Sequence, residues 1–252
     1  MNELSLFTGA GGGLLGTHLL GWRPVGYVEW DDYCQRVIAA RIRDGYLPIA
    51  PIFTDVREFA QSGAADQYRG IADVVTAGFP CQPFSLGGKQ LGEADERNMW
   101  PATADVIRRV RPRFVGLENV AGLVTSGYIG TVLGDLAAMG LDARWGVLGG
   151  HHVGAAQRRE RVWLFANAAG ERSDAWHRLE SGQKWRSSES DRGLPRLVKP
   201  QSWRPSDKGA HSECGLPGLA YGVPNSVDRL RASGNGQIPI VAATAFTLLS
   251  NQ

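Results

Sequence analysis

Cys81 stands in the run GFPCQPFS, residues 78–85, after an apolar stretch, residues 71–77, that reads as a buried strand. A thiol between Pro80 and Gln82, where strand gives way to loop, sits where open α/β sheets place their chemistry. Free cysteine alone is usually a small buried apolar residue, so the thiol needs company to count as a nucleophile. Glu118 is the first companion. Residues 113–120 (RFVGLENV) read as a further strand that again finishes in a carboxylate. Two parallel strands ending in cysteine and glutamate bring both side chains to one sheet edge. Arg159 and Arg161, in the run QRRER, lead into the strongly apolar residues 162–166. Side chains two apart in an extended segment share a face, so both guanidinium groups are expected to point together into the site. Cations beside a cysteine favour its thiolate, the reactive form. The alternative is a solvent-exposed basic edge.

The elements that must hold these groups begin with residues 4–7, a short apolar strand, then the turn TGAGGG, residues 8–13, and an apolar helix over 14–20. Strand, glycine turn and helix form the first unit of a nucleotide-binding α/β fold; glycines allow a tight turn and close approach of a ligand to the helix N-terminus. The second strand, residues 25–28, ends in Glu29, 18 residues after Gly11. An acid at that spacing can accept hydrogen bonds from ribose hydroxyls. Residues 32–43 read as an amphipathic helix with Val37, Ile38 and Ile42 on one face. Residues 52–56 read as a third strand, and its Asp55 either meets an adenine amino group or caps the next helix. Residues 85–98 have the polar, glycine-rich composition of a flap. Helices follow over 99–110 and 129–139, strands over 143–148 and 162–166. Residues 234–239 read as a turn and 240–249 as a closing helix.

The chain has 252 residues, an apolar fraction of 43% and a net charge of +2, which suits a full core and excludes wholesale disorder. Its cysteines, Cys34, Cys81 and Cys214, are odd in number and far apart, which argues for reduced thiols in the cytosol and against a disulfide framework or metal site. No apolar run reaches membrane-spanning length. From residue 168 onward 11 lysines and arginines face 8 acids, +3, against −1 for residues 1–167. Periodicity fails over 168–219, where basic residues alternate with Trp176, Trp185 and Trp203, a pattern suited to a phosphate-facing surface. The organisation expected is a domain of residues 1–167 and 234–252, with a small irregular lobe over 168–233.

Taken together these segments resemble the DNA (cytosine-5-)methyltransferase family over nearly the whole chain. Phe7-x-Gly9-x-Gly11-Gly12 matches its first motif, Pro80-Cys81-Gln82 the catalytic motif, Glu118-Asn119-Val120 the ENV motif, Gln157-x-Arg159-x-Arg161 the QxRxR motif, and Gly234-Asn235 with Pro239 the last. The resemblance implies a Rossmann-like S-adenosylmethionine-dependent fold, with a mostly parallel sheet and helices on both faces. It implies methyl transfer to carbon 5 of a flipped-out cytosine in double-stranded DNA through a Cys81 adduct, with S-adenosylhomocysteine as product. By the same resemblance Phe7 stacks on adenine, Glu29 holds the ribose, Asp55 the adenine amino group, and Trp30 packs on the cofactor. Gly9, Gly11, Gly12, Val56, Pro80 and Asn235 complete the cofactor side. Glu118 bonds the cytosine edge, Arg159 and Arg161 hold the flipped nucleotide and its phosphate, and Gln82, Ser85, Asn119 and Gln157 join the substrate side. No metal is implied. A monomer in the bacterial or phage-infected cytoplasm, associated with the nucleoid and of restriction–modification type, fits this reading.

The chain also departs from the pattern. Ser5 stands where the family commonly has Asp, which puts the anchoring of the glycine turn in question. Leu86-Gly87-Gly88 lacks a hydroxyl that some members use near the vacated base. Only about 70 residues separate Arg161 from Gly234, where many members carry a sizeable recognition domain, so a short or relaxed target sequence is expected. The rival readings are a tRNA cytosine-5 methyltransferase, a catalytically silent DNA-binding homologue, a nicotinamide-dependent dehydrogenase suggested by the glycine turn alone, and an enzyme using a different alkyl donor.

Overall fold

Period-two patterning at the start of the chain sets the sheet. In β1 (Asn2–Leu6) Leu4 and Leu6 point to one face and Glu3 and Ser5 to the other, all buried. The structure, a computed structural model, describes residues 1–80, 98–155, 157–168 and 226–250. Cys81, Gln82, Ser85, Leu86, Gly87 and Gly88 lie outside the described residues, as does most of the expected lobe. After β1 come α1 (Gly12–Leu19), β2 (Arg23–Val28), α2 (Asp32–Arg43), β3 (Ile52–Phe53), α3 (Val56–Gln61) and β4 (Val74–Ala77). They are followed by α4 (Trp100–Val110), β5 (Phe114–Asn119), α5 (Gly122–Thr125), α6 (Ile129–Ala138), β6 (Leu141–Leu148) and β7 (Arg161–Ala168). The described chain closes with α7 (Ser226–Asn235) and α8 (Pro239–Ser250).

The strands form one sheet in the order β3-β2-β1-β4-β5-β7-β6. The first five are parallel; β7 runs antiparallel to both β5 and β6. This is the Rossmann-like α/β architecture that the motifs imply, with helices on both faces. One face, from Leu4 and Leu6 across Val75 and Leu117 to Leu164, packs on Phe59 of α3, Trp100 and Ile107 of α4 and Leu136 of α6. The other, from Val74 and Phe114 to Trp163 and Phe165, packs on Val241, Ala245 and Phe246 of α8. Leu14 of α1 and Ile38 of α2 enclose Tyr27 on that same side. The strand order reverses between β1 and β4, since the chain winds outward through β2 and β3 and then returns. Such a switch point opens a crevice beyond the carboxyl ends of the two strands.

Three expected elements are shorter or regrouped, each for a local reason. The run 71–77 becomes strand only from Val74, because Asp73 is spent on the strand edge: its Oδ2 accepts the Asn2 backbone N–H at 2.7 Å. The third strand stops at Phe53, because Asp55 leaves it to cap α3, accepting the Arg57 backbone N–H at 2.8 Å. Gly234 and Asn235 close α7 instead of opening a turn, so the expected lobe boundary after Ser233 falls inside a helix. Among the described residues no helix is long and apolar enough to cross a membrane, and no cluster of acids, histidines and cysteines is arranged to hold a metal ion.

Glu3 is the unexpected core residue. Its two oxygens accept the hydroxyls of Thr17 on α1 and Thr76 on β4, both at 2.6 Å. Full burial pushes its carboxyl up to about 7, against the pull of those two hydrogen bonds. The fold therefore holds a proton that the unfolded chain releases near 4.5. The stability this contributes is complete below that value and is lost as pH rises through about 7, of order 3 kcal/mol in all. Glu3→Gln keeps the shape without the titration. Its melting temperature relative to wild type is expected to rise by on the order of 5–10 °C between pH 5 and pH 8; parallel melting curves across that range contradict the assignment.

Candidate active site

The crevice at the switch point is built from the carboxyl ends of β1, β2, β4 and β5. As β1 ends, Phe7 takes a left-handed conformation with φ 51°, rare for a bulky side chain and typical of strained functional positions. Thr8 then ties the turn down: its hydroxyl donates to the Ser5 carbonyl at 3.1 Å and meets the Ser5 hydroxyl at 3.2 Å. Ser5 thus anchors the turn through a hydroxyl pair where the family commonly uses a carboxylate. The buried carboxylate of this strand sits two residues earlier, at Glu3. Gly11, with φ 91°, turns the chain into α1.

Glu29, at the end of β2, is 8% exposed and locks the turn from the side. Its Oε2 accepts the Gly9 backbone N–H at 2.6 Å and its Oε1 that of Asp31 at 2.7 Å. Burial pushes its carboxyl up, and these backbone bonds pull it back. Glu29, Phe7, Gly9 and the largely exposed Trp30 line one end of a single cleft. Gly78, Pro80, Glu118 and Arg161 line the other end, and Arg231 and Asn235 of α7 line it as well. Arg231 reaches Asp31 at 3.6 Å across the opening.

Glu118 is held at both of its oxygens. Oε1 faces the Arg161 Nε at 3.1 Å, and Oε2 accepts a hydrogen bond from Gln237 Nε2 at 3.3 Å. Burial pushes the Glu118 carboxyl up; the charge of Arg161, the Gln237 bond and the more distant Arg159 pull it down. The next residue on the strand, Asn119, faces the other way. Its amide donates to the Phe79 carbonyl at 2.9 Å and its Oδ1 accepts the Val120 backbone N–H at 2.8 Å. It braces the backbone immediately before Pro80.

Arg159 departs from expectation. The segment before β7 is not extended there: Arg159 has φ 30°, so the two-residue alternation fails. Its guanidinium donates instead to the carbonyls of Gly234, at 2.6 Å, and Gly236. Burial, then the neighbouring Arg161, make it less basic than a free arginine. The structure brings Arg159, Arg161 and Glu118 close enough to interact, but by separate routes. Gln157 is exposed and lines a second groove together with Leu15, Val37 and Arg159. Val56 is buried in the core at the start of α3, and Asp55 pairs with Arg57 at 2.9 Å besides capping its helix. Neither Val56 nor Asp55 is among the residues described as lining the cleft. Gly12 lies where the loop before α8 presses on the turn: a Cβ there meets the Gln237 carbonyl oxygen at 2.6 Å.

The sequence profile of the family described as C-5 cytosine-specific DNA methylase matches residues 1–214. The chain belongs to that family. It is 32% identical over 167 residues to the Type II methyltransferase M.NgoMIV of Neisseria gonorrhoeae, which covers 65% of this chain and 51% of that one. It is 34% identical over 165 residues to the Type II methyltransferase M.HaeII of Haemophilus aegyptius, with coverages of 64% and 48%. The chain thus spans about half the length of the curated relatives it matches. In three dimensions it is similar to the S. pombe Dnmt2 methyltransferase, with a TM-score of 0.54 at 18% identity over 76% of this chain and 58% of that one. A Spodoptera frugiperda DNMT2 variant gives 0.53 at 19% identity, over 67% and 50%. At these identities the likeness is one of fold. Against the family's motifs, the residues that sequence reading missed are Glu3, Gln237 and Arg231. Gln237 gave one signal, a lone polar side chain beside Ile238 on the approach to an apolar helix.

The Glu118–Arg161 pair yields a test. Removing one partner strands a buried charge and costs about 3 kcal/mol, whereas removing both is close to neutral. Chemical denaturation is expected to find Arg161→Leu destabilised by that amount, and Arg161→Leu with Glu118→Leu restored to within about 1 kcal/mol of wild type. Additive losses in the double variant rule out the pairing.

Proposed function

We propose that this chain transfers a methyl group from S-adenosylmethionine to carbon 5 of a cytosine in double-stranded DNA, with Cys81 as nucleophile and S-adenosylhomocysteine as product. The observation that carries this reading is Glu118, a buried carboxyl gripped by Arg161 in the same cleft as the glycine turn, Glu29 and Trp30. Pro80 lines that cleft and Cys81 is the next residue in the chain.

The cofactor end fits its ligand. A Cβ built on Gly9 meets nothing within 4 Å, so the turn leaves room for a ligand against its backbone. The Phe7 ring, the Trp30 indole and the Glu29 carboxylate offer a stacking surface and acceptors for an adenosine. When bound, S-adenosylmethionine supplies an electrophilic methyl group.

The chain's residues make the acceptor. Carbon 5 of cytosine is a poor nucleophile, and a stacked base is out of reach, so the nucleotide must flip into the cleft at a cost of a few kcal/mol. The Cys81 thiolate adds to carbon 6, forming a carbon–sulfur bond and moving charge toward ring nitrogen 3. Burial pushes the Glu118 carboxyl up, so a proton bridging it to that nitrogen meets the developing charge; Arg161 orients the carboxyl and limits the shift. Carbon 5, now enamine-like, takes the methyl group. Loss of the carbon 5 proton to a base and departure of Cys81 restore the ring double bond and the free thiol. Arg161 and Arg159 supply positive potential that favours the thiolate.

Purified protein incubated with unmethylated duplex DNA and S-adenosylmethionine, then bisulfite sequencing, tests the reading. Protected cytosines are expected in wild type and none with Cys81→Ala. Unprotected DNA beside a methylated tRNA in a parallel reaction turns the reading to RNA. The short span between Arg161 and Gly234 supports a short or relaxed target; a strict site of six base pairs in genome-wide methylation maps argues against it.

A further inference from the structure

Gln237 is not one of the fixed positions of the motifs, yet it meets two of them, the glycine turn and Glu118-Asn119-Val120. It lies in the three-residue link between α7 and α8. Its carbonyl oxygen is 2.6 Å from where a Cβ on Gly12 would stand, and its side-chain Oε1 is 2.6 Å from the same position on Gly13. Its Nε2 is 2.9 Å from the Cβ position of Gly78, three residues before Cys81, and donates to Glu118 Oε2 at 3.3 Å. Three glycines on two separate segments thus clear space for one glutamine. Arg159 fixes the link from outside through the Gly234 and Gly236 carbonyls. Arg161 thus faces one oxygen of Glu118 directly, while Arg159 holds the carbonyl of Gly236, the residue next to the Gln237 that donates to the other.

We infer that Gln237 is a positioning residue for Glu118, holding its second carboxyl oxygen toward the cytosine edge and tying that orientation to the seating of the glycine turn. The inference rests on the cytosine-methylation reading. An apolar side chain at 237 can fill the volume but cannot donate. Among the described residues, the charged groups facing Glu118 are Arg161 from β7 and Arg159 before it. β4 and the residue after it present Thr76, Ala77 and Gly78, none of them charged, and Glu3 of β1 opens on the same narrow cavity but bonds to Thr17 and Thr76. A donor on Oε2 stabilises the carboxylate, so its loss leaves Glu118 protonated to higher pH.

The test uses full-length protein labelled with carbon-13 at the glutamate carboxyl. The Glu118 resonance is assigned by its absence in Glu118→Gln, and the titration is repeated in Gln237→Met, which keeps the side-chain length. The Glu118 midpoint is expected to move up by on the order of one pH unit. Gln237→Glu, which places a like charge beside it, is expected to move it up as well and serves if the Met variant misfolds. In methylation assays the alkaline arm of kcat should shift in the same direction, with KM for DNA within about twofold. An unmoved Glu118 midpoint in a folded variant overturns the inference whatever the activity. A wild type inactive on DNA and tRNA defeats the methylation reading instead, and the titration still decides the role of Gln237.

Discussion

The fold depends on a close approach between its first helix and its last. α8 reaches α1 with the Pro239 carbonyl 2.6 Å, and the Ala242 methyl 2.8 Å, from where a Cβ on Gly16 would sit. One turn earlier the Gln237 backbone presses on Gly12, and across the sheet the Phe246 ring lies 2.9 Å from the Cβ position of Gly116. Absent side chains thus bring the two ends of the described chain into register. That contact seats the link before α8 against Gly12 and brings Gln237 to Glu118, so the link becomes one wall of the site.

The same sheet face carries two buried acids whose surroundings divide their behaviour. Glu3 is satisfied by neutral hydroxyls, so burial dominates and the proton stays. Glu118 faces a guanidinium, which opposes the same burial. Environment sets the difference between two identical side chains: the first is a structural bolt between α1 and β4, the second is ion-paired to β7 and lines the cleft.

Much of this was legible in the sequence because chemistry and local pattern coincide. α2 has the bounds its amphipathic period gives, and the Glu29 and Glu118 carboxylates stand at strand ends where alternation puts them. The remainder depends on long-range geometry. Arg159 broke the extended pattern because its partner carbonyls lie some 75 residues away. Glu3 stands just before the expected strand, residues 4–7, and only the distant hydroxyls of Thr17 and Thr76 account for its burial. Asp55 had two readings on position alone; its hydrogen bonds make it a helix cap, and any further part in holding adenine is a matter of the proposed function. The antiparallel placement of β7 between β5 and β6 is set by pairing, which no local signal carries.

The late position of α8 in the chain has a consequence for synthesis. Phe114, Trp163 and Phe165 form an aromatic face of the sheet that α8 covers through Phe246. A ribosome adding about 5–20 residues per second needs roughly 4–14 s to pass from the end of β7 to the start of α8. During that interval the sheet is complete in sequence while its aromatic face is uncovered and the wall bearing Gln237 is missing. Until then the nascent chain presents an uncovered aromatic surface, so protection from aggregation and completion of the cleft wall arrive together with α8.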